Sequence, residues 1–330
     1  MTFKNIIAVC LMLSLIACAC NNKTSTSKPV EAYQKVSPDF NADSAYQFVD
    51  KQVAFGPRVP NTPQHVACGD YLVGELKRFG ADVQEQKMVL TAYDGTKLNS
   101  RNIIGSYGLD KKTRVLLFAH WDTRPYSDHD PNPDNYHKPV LGANDAASGV
   151  GVLLEIARII QSQSPEVGVD IIFFDAEDYG IPDFAEKSVI EGNTWCLGSQ
   201  YWSKNPHVPN YKAKYGILLD MVGADEATFY KEEYSRIYAK NIVEKVWSTA
   251  GQLNFGAFFK GDTIGGITDD HVPVNEVRRI PSVDIIDYRP NTEHGFFHSW
   301  HTQKDDMSNI SKKTLGVVGQ TVLEVIYKEK

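Results

Sequence analysis

Three short apolar runs, each leading into histidine or acidic residues, place the strongest constraint on how this 330-residue chain can fold. The runs cover 115–119, 171–174 and 216–219 and lead into His120, Glu177-Asp178 and Asp220. They alternate with segments of helical periodicity, which is typical of a mostly parallel sheet with helices on both faces. We therefore predict an α/β fold, a single domain of three layers. Polar residues after parallel strands meet at one edge of the sheet, where ligands bind.

The periodicity and the capping residues predict the individual elements. Helices are predicted over 43–55, 62–79, 148–161, 233–249 and 311–328, and strands over 83–90, 101–107, 114–120, 169–174, 216–222 and 282–288. The connections over 123–141, 179–196 and 289–300 are too long for plain turns. Loops of this length often shape a functional site.

The N-terminus has the pattern of an export signal. Lys4 precedes an apolar stretch over 6–16, which is too short to span a bilayer. The stretch ends in Leu-Ile-Ala-Cys at Cys18, which resembles a bacterial lipobox with Cys18 as the lipidated residue. An ordinary cleavage near Ala17 or Ala19 is the alternative. We predict a lipoprotein signal peptide over 1–18, a flexible tether over 19–38 and a catalytic domain over 39–330, exported and anchored at the periplasmic face of a membrane.

Charge and cysteine content narrow the function classes. The net charge is -7, and no basic block interleaves with aromatic residues, so nucleic-acid binding is not expected. Of five cysteines, Cys10 lies in the signal and Cys18 is the predicted anchor. Export permits a disulfide between Cys68 and Cys196, but the sequence leaves that pairing open.

Two carboxylates and one histidine have the chemistry of a metal site. Asp145 lies in the segment GANDAASG before a helix, the pair Glu177-Asp178 follows a buried strand, and His301 follows Trp300. Two carboxylates and an imidazole can bind zinc and leave a position open for substrate, as catalytic zinc sites do. A free carboxylate next to a ligand is what a general base needs. Each residue alone has a plain alternative, such as a helix cap for Asp145, and their joint placement favours the site.

Several motifs together resemble the zinc-dependent glutaminyl cyclases of the zinc aminopeptidase superfamily, from about residue 40 onward. They are His120-Trp121-Asp122-Thr123, Gly142-Ala143-Asn144-Asp145, Phe174-Asp175-Ala176-Glu177-Asp178, Leu219-Asp220, and Trp300-His301. The cyclases of Bacteroidetes are similar in having Asp rather than Glu after the catalytic Glu. The resemblance implies a zinc-aminopeptidase-like fold.

The resemblance also implies residue roles. Asp145, Asp178 and His301 would hold one Zn²⁺ per chain. Glu177 would be the general acid/base, Asp269 and Asp220 would belong to the hydrogen-bond network around the substrate amide, and Trp300 would seat the substrate. Asp178 is one methylene shorter than the Glu of animal relatives, and the segment 179–195 looks longer than theirs.

The implied activity converts the N-terminal glutamine of peptides or exported proteins to pyroglutamate with release of ammonia. A two-zinc aminopeptidase is the alternative, in which His120 and Asp220, with Asp145 bridging, hold a second metal. A non-catalytic lipoprotein with the same fold is a third possibility, but it would be expected to lack a ligand or the base, and none is missing.

The predicted anchor leads to the first test. Cys18→Ser should release the protein into the soluble fraction on cell fractionation, because no acyl chains can then be attached. Cys20→Ser is the matched control and should stay with the membrane. Membrane retention of the Cys18→Ser variant would contradict lipidation at this residue.

Overall fold

The computed structural model describes residues 33–330, so the predicted signal peptide and most of the predicted tether lie outside the described residues. Eight strands are present in this part of the chain. They are β1 (Asp82–Thr91), β2 (Lys97–Tyr107), β3 (Arg114–His120), β4 (Gly168–Phe174), β5 (Gly216–Asp220), β6 (Phe229–Lys231), β7 (Phe259–Thr263) and β8 (Ser282–Ile286). Six of them form one sheet in the order β1-β2-β4-β3-β5-β8, while β6 and β7 pair separately.

The central sheet is mostly parallel, as predicted. β4, β3, β5 and β8 run parallel to their neighbours, with His120 opposite Phe174 and Leu218 opposite both Phe118 and Asp284. β1 and β2 form an antiparallel hairpin added to the edge of β4. The carboxyl ends of β3, β4 and β5 therefore meet at one edge, and the predicted site residues follow them.

Within residues 33–330, seven α-helices surround the sheet. They are α1 (Ala42–Val53), α2 (Pro63–Arg78), α3 (Gly149–Ser162), α4 (Leu197–Lys204), α5 (Glu233–Gln252), the single turn α6 (His271–Pro273) and α7 (Lys312–Tyr327). Side chains at the N-caps fix where several begin: Asn41 accepts from the N–H of Ser44, and Thr62 accepts from that of His65 with Pro63 in the first turn. The five predicted helices are confirmed, whereas α4, α6, β6 and β7 are elements that the sequence patterns did not indicate.

The two faces of the sheet are covered by different helices. In β3, Val115, Leu117 and Ala119 belong to a core shared with α1, α2, α3, α5 and α7. Leu116 and Phe118 point the other way and pack with Trp202 of α4 and with Val274. This alternation follows from the twofold side-chain period of a strand. It confirms the three-layer α/β architecture, and each buried Leu or Phe contributes about 1.5–3 kcal/mol.

The start of the folded unit has a defined attachment. The backbone N–H groups of Val36 and Ser37 donate to the carboxylate of Glu324 in α7. The predicted boundary between tether and domain, at residues 38 and 39, stays a prediction. Within residues 33–330, none of the helices has the length and apolar character needed to cross a membrane.

Gly149 allows α3 to begin directly against the functional edge of the sheet. A Cβ atom at this position would lie 2.2 Å from the carbonyl oxygen of Leu219 and 3.1 Å from the Cβ of Ala119. Only glycine therefore lets the helix approach the ends of β3 and β5 this closely.

This packing predicts opposite effects for two glycine substitutions. Gly149→Ala should lower the free energy of unfolding by about 1–3 kcal/mol, as overpacking does. Gly74→Ala, in α2 with nothing within 4 Å of the added Cβ, should raise it by about 0.5–1 kcal/mol. Urea unfolding of both variants measures the difference, and a stabilising Gly149→Ala would contradict the close approach.

Candidate active site

The three residues predicted to bind zinc come together at the carboxyl edge of the sheet. His301 Nε2 lies 3.3 Å from Asp178 Oδ1 and 3.7 Å from Asp145 Oδ2. One ligand atom from each residue lies within 4.8 Å of the others, and all three side chains are buried. In the sequence, Asp145 and Asp178 are separated from His301 by more than 100 residues, and the fold brings all three together.

The loop that carries Asp145 is held from two sides. Asp305 accepts hydrogen bonds from the backbone N–H groups of Asn144 and Asp145 at 2.8 and 3.0 Å. Arg58, which is fully buried, donates to the carbonyl oxygens of Leu141 and Gly142. Gly142 has φ of 62°, and a Cβ there would lie 2.3 Å from the carbonyl oxygen of Asp145. The loop therefore requires glycine at this position.

Asp122 positions the two acidic residues that follow β4. Its carboxylate oxygens accept from the N–H groups of Glu177 and Asp178 at 3.1 and 3.2 Å. Arg124 donates to the carbonyl oxygen of Asp178 at 3.1 Å and forms a bidentate pair with Asp128. These contacts hold the backbone from which the carboxylates of Glu177 and Asp178 project.

His301 lies between aromatic rings. Trp300 stacks on it with ring centroids 3.8 Å apart, and Trp195 lies parallel to it at 6.3 Å. Its Nδ1 lies 3.6 Å from Asp128. Burial, and after it the positive charge of Arg124, hold the pKa of His301 well below its usual range. The ring is therefore neutral near pH 7, the form that binds a metal.

The donor set fits zinc. Burial raises the pKa of Asp178 well above its usual range, and repulsion from Asp145 adds to the effect. Two crowded carboxylates and one neutral imidazole would be stabilised by a bound divalent cation. Nitrogen and oxygen donors in a set of three are the ligands of catalytic zinc.

A second group of three possible ligands shares Asp145. His120 Nε2 lies 2.9 Å from Asp145 Oδ1 and 3.3 Å from Asp220 Oδ1, and its Nδ1 lies 3.5 Å from Asp122. Burial alone would lower the pKa of His120, but the carboxylates of Asp122, Asp145 and Asp220 close to its ring raise it well above its usual range.

One pocket of about 410 Å³ opens onto these groups. Asp145, Asp178 and His301 lie on one side of it, and Glu177, Asp269 and Asp220 also line it. The walls are apolar and aromatic: Trp195, Met221, Ile267, Ile286, Tyr288, Phe296 and Trp300. The predicted site residues thus all face a single cavity.

Burial and mutual repulsion raise the pKa values of the carboxyl groups in the pocket, so these groups are weaker acids than usual. Burial raises the pKa of Glu177 well above its usual range, with the nearby Asp269 adding to the effect. Burial and the charge of Asp220 raise the pKa of Asp269 to about 7. Groups with such pKa values are suited to exchanging protons near neutral pH.

Four residues that shape the site did not stand out in the sequence. Trp195 walls the pocket, while Arg58, Asp128 and Asp305 hold its loops. Of these four, only Trp195 has a sequence signal that could have indicated its role, because it is an aromatic residue at the end of the long 179–196 loop. His271 has a structural contact away from these groups: its Nε2 lies 3.1 Å from Glu232 Oε1. Cys68 and Cys196 are both buried free thiols, so the disulfide between them that the sequence left open is not formed.

Comparison with known proteins identifies the family. Residues 102–326 match the model of peptidase family M28. The chain belongs to this family.

Within M28, the chain is similar to a zinc-dependent exopeptidase from Parabacteroides distasonis, with 61% identity over 89% of this chain and all of that one, and a TM-score of 0.87. It is 58% identical to the glutaminyl cyclase of Tannerella forsythia over 89% of this chain and all of that one, again with a TM-score of 0.87. The aminopeptidase YwaD of Bacillus subtilis is 29% identical over 82% of this chain, and the match spans 54% of YwaD. The resemblance to glutaminyl cyclases and the zinc-aminopeptidase-like fold are confirmed.

The geometry of the zinc site predicts a selective effect of His301. His301→Ala should remove most bound zinc, measured by metal analysis of the purified protein, because a site with three ligands loses much of its affinity with one. The control is His298→Ala, whose exposed ring lies three residues earlier in the chain, and it should keep full zinc content. Full zinc retention in a folded His301→Ala variant would contradict the assignment.

Proposed function

We propose that this chain is a zinc-dependent glutaminyl-peptide cyclotransferase that converts N-terminal glutamine to pyroglutamate. One observation carries the proposal: the group Asp145, Asp178 and His301 and the carboxyl pair Glu177 and Asp269 face the same pocket, whose walls are aromatic. The pocket volume of about 410 Å³ suits one terminal residue. The 58% identity to the T. forsythia cyclase over its whole length supports the same activity.

Zinc held by Asp145, Asp178 and His301 would supply a Lewis acid that polarises the γ-carbonyl of the glutamine. Glu177 accepts a proton from the α-amine, whose nitrogen then attacks the amide carbon. Glu177 returns the proton to the departing nitrogen, which leaves as ammonia as the new C–N bond closes the ring. Because amine and amide belong to one residue, their effective concentration is high once the pocket holds them in a bent conformation.

Asp269 and Trp300 have supporting roles in this reaction. With a pKa near 7, Asp269 can carry a proton beside Glu177 and thereby reduce the repulsion between the two carboxyl groups. Trp300 stacks on His301 and lines the pocket, so that it both orients the zinc ligand and contacts the substrate side chain. Asp220 faces the same space from the end of β5 and belongs to the network around the amide.

A two-zinc aminopeptidase is the second candidate function. The group formed by His120, Asp145 and Asp220 favours it, since a metal there would share Asp145 with the first. The identity of 29% to YwaD points in the same direction. Against it, the three carboxylates around His120 raise its pKa, so a second metal there would have to displace a proton that they stabilise. We therefore favour a single zinc per chain.

We further propose that the enzyme acts on exported proteins while anchored through Cys18 at the periplasmic face of a membrane. The support is the sequence alone: an apolar stretch over 6–16 followed by Ala17-Cys18, and a polar segment after it. An anchored enzyme would meet newly exported N-termini as signal peptides are removed.

A substrate comparison separates the two activities. The enzyme should release ammonia from Gln-initiated peptides, react poorly with Asn, whose ring would be one methylene smaller, and leave Leu-initiated peptides intact. Ammonia assay and mass spectrometry on the same samples measure these outcomes. Glu177→Gln should lose about 10²–10⁴ in rate and keep its zinc. Cleavage of Leu peptides at rates comparable to Gln cyclisation, with two zinc ions per chain, would establish the aminopeptidase instead.

A further inference from the structure

Cys196 is a buried thiol that contacts the general acid/base and has no part in the reaction described above. Its Sγ donates a hydrogen bond to Glu177 Oε1 at 3.1 Å, and its side chain is fully buried. Glu177, Cys196 and Asp269 each contribute an atom to a group within 4.8 Å. The other thiol of the described domain, Cys68, lies in α2.

The backbone holds Cys196 in register with Glu177. The N–H of Cys196 donates to the carbonyl oxygen of Glu177 at 2.9 Å, and the N–H of Leu197 donates to that of Ala176 at 3.0 Å. Cys196 adopts φ of 57° and ψ of 36° at the start of α4. The residue is thus bonded to Glu177 at two points, through its backbone and through its thiol.

The chemistry of the thiol suits a fixed donor. Burial, followed by the charge of Glu177, raises the pKa of Cys196 well above its usual range. The sulfur therefore keeps its hydrogen and donates it. A thiol is a weak donor, and a buried carboxylate oxygen is a strong acceptor. The bond is directional, so it selects one orientation of the Glu177 carboxyl group without withdrawing much of its basicity.

We propose that Cys196 is a positioning residue, which holds Glu177 Oε1 so that Oε2 exchanges the proton with the substrate. This role rests on the proposed cyclase activity. Trp195, the preceding residue, walls the pocket. One short segment thereby sets both the pocket wall and the orientation of the base. An error of about 1 Å in the position of a catalytic group can cost up to about 10²-fold in rate.

Substitutions of Cys196 test the role through a division between kcat and KM. Cys196→Ala should lower kcat for a Gln-initiated peptide by about tenfold or more, with little change in KM and full zinc content. Cys196→Ser keeps a donor and should recover most of the lost kcat. Cys68→Ala, at a buried cysteine in α2, is the matched control for loss of a buried thiol and should keep the wild-type kcat.

Several outcomes would overturn the proposal. The first is an unchanged kcat in Cys196→Ala. The second is an equal loss of kcat in the Ala and Ser variants, which would indicate that the thiol acts through packing alone. The third is a loss of zinc together with activity. If the Ala variant does not fold, a second measurement decides: the infrared S–H stretching band of Cys196 in the full-length holoenzyme. This band is assigned by difference from Cys196→Ser. It should move to higher frequency in Glu177→Gln, because the thiol then has a weaker acceptor, and a band that does not move overturns the proposal. This readout needs no turnover, so it remains distinct from failure of the cyclase activity, which would appear as absent ammonia release in the wild type.

Discussion

Repulsion among buried carboxylates at the ends of β3, β4 and β5 is the interaction that the surrounding structure has to offset. Six of them lie within the same region and are at most 7% exposed: Asp122, Asp145, Asp178, Asp220, Asp269 and Asp270. Ionised groups in such a setting are costly unless they are paired, protonated or bound to a cation. The raised pKa values of Asp178, Asp220, Asp269 and Asp270 express that cost, with burial as the largest cause in each. The guanidinium of Arg124 reduces it, and a zinc ion held by Asp145, Asp178 and His301 would reduce it further.

The groups that reduce the repulsion also fix the geometry. Asp122 is held by two backbone N–H groups, and those N–H groups belong to Glu177, the proposed general acid/base, and to Asp178. Asp305 plays the same part for the loop of Asp145. The backbone amides that each of these carboxylates binds stabilise its negative charge, and the same hydrogen bonds hold the loop in place. The contacts that offset the repulsion are therefore also the contacts that position the site. The site is consequently rigid where the metal ligands and the base are attached, which is what catalysis by preorganised groups requires.

The sequence predicted the parts of this arrangement that depend on local pattern. Apolar runs located β3, β4 and β5, and Glu177, Asp178 and Asp220 at the ends of β4 and β5 line one pocket, because parallel strands end at a common edge. The roles of Arg58 and Asp305 could not be predicted from the sequence, because their partners are backbone groups more than 80 residues away and leave no periodic signal. α4 was missed because it is only eight residues long and follows an irregular loop. Trp195 faces the zinc ligands only through the course of that loop.

Asp145 is the residue on which one-metal and two-metal chemistry diverge. One of its oxygens faces His301 and the other faces His120, so the same carboxylate serves both groups of ligands. His120 is surrounded by Asp122, Asp145 and Asp220, whose carboxylates raise its pKa well above its usual range. A second metal at this position would have to displace a proton that these carboxylates stabilise, because a protonated nitrogen has no lone pair for a metal. At the first group of ligands there is no such competition, since the pKa of His301 is held well below its usual range and its ring is neutral before any metal binds.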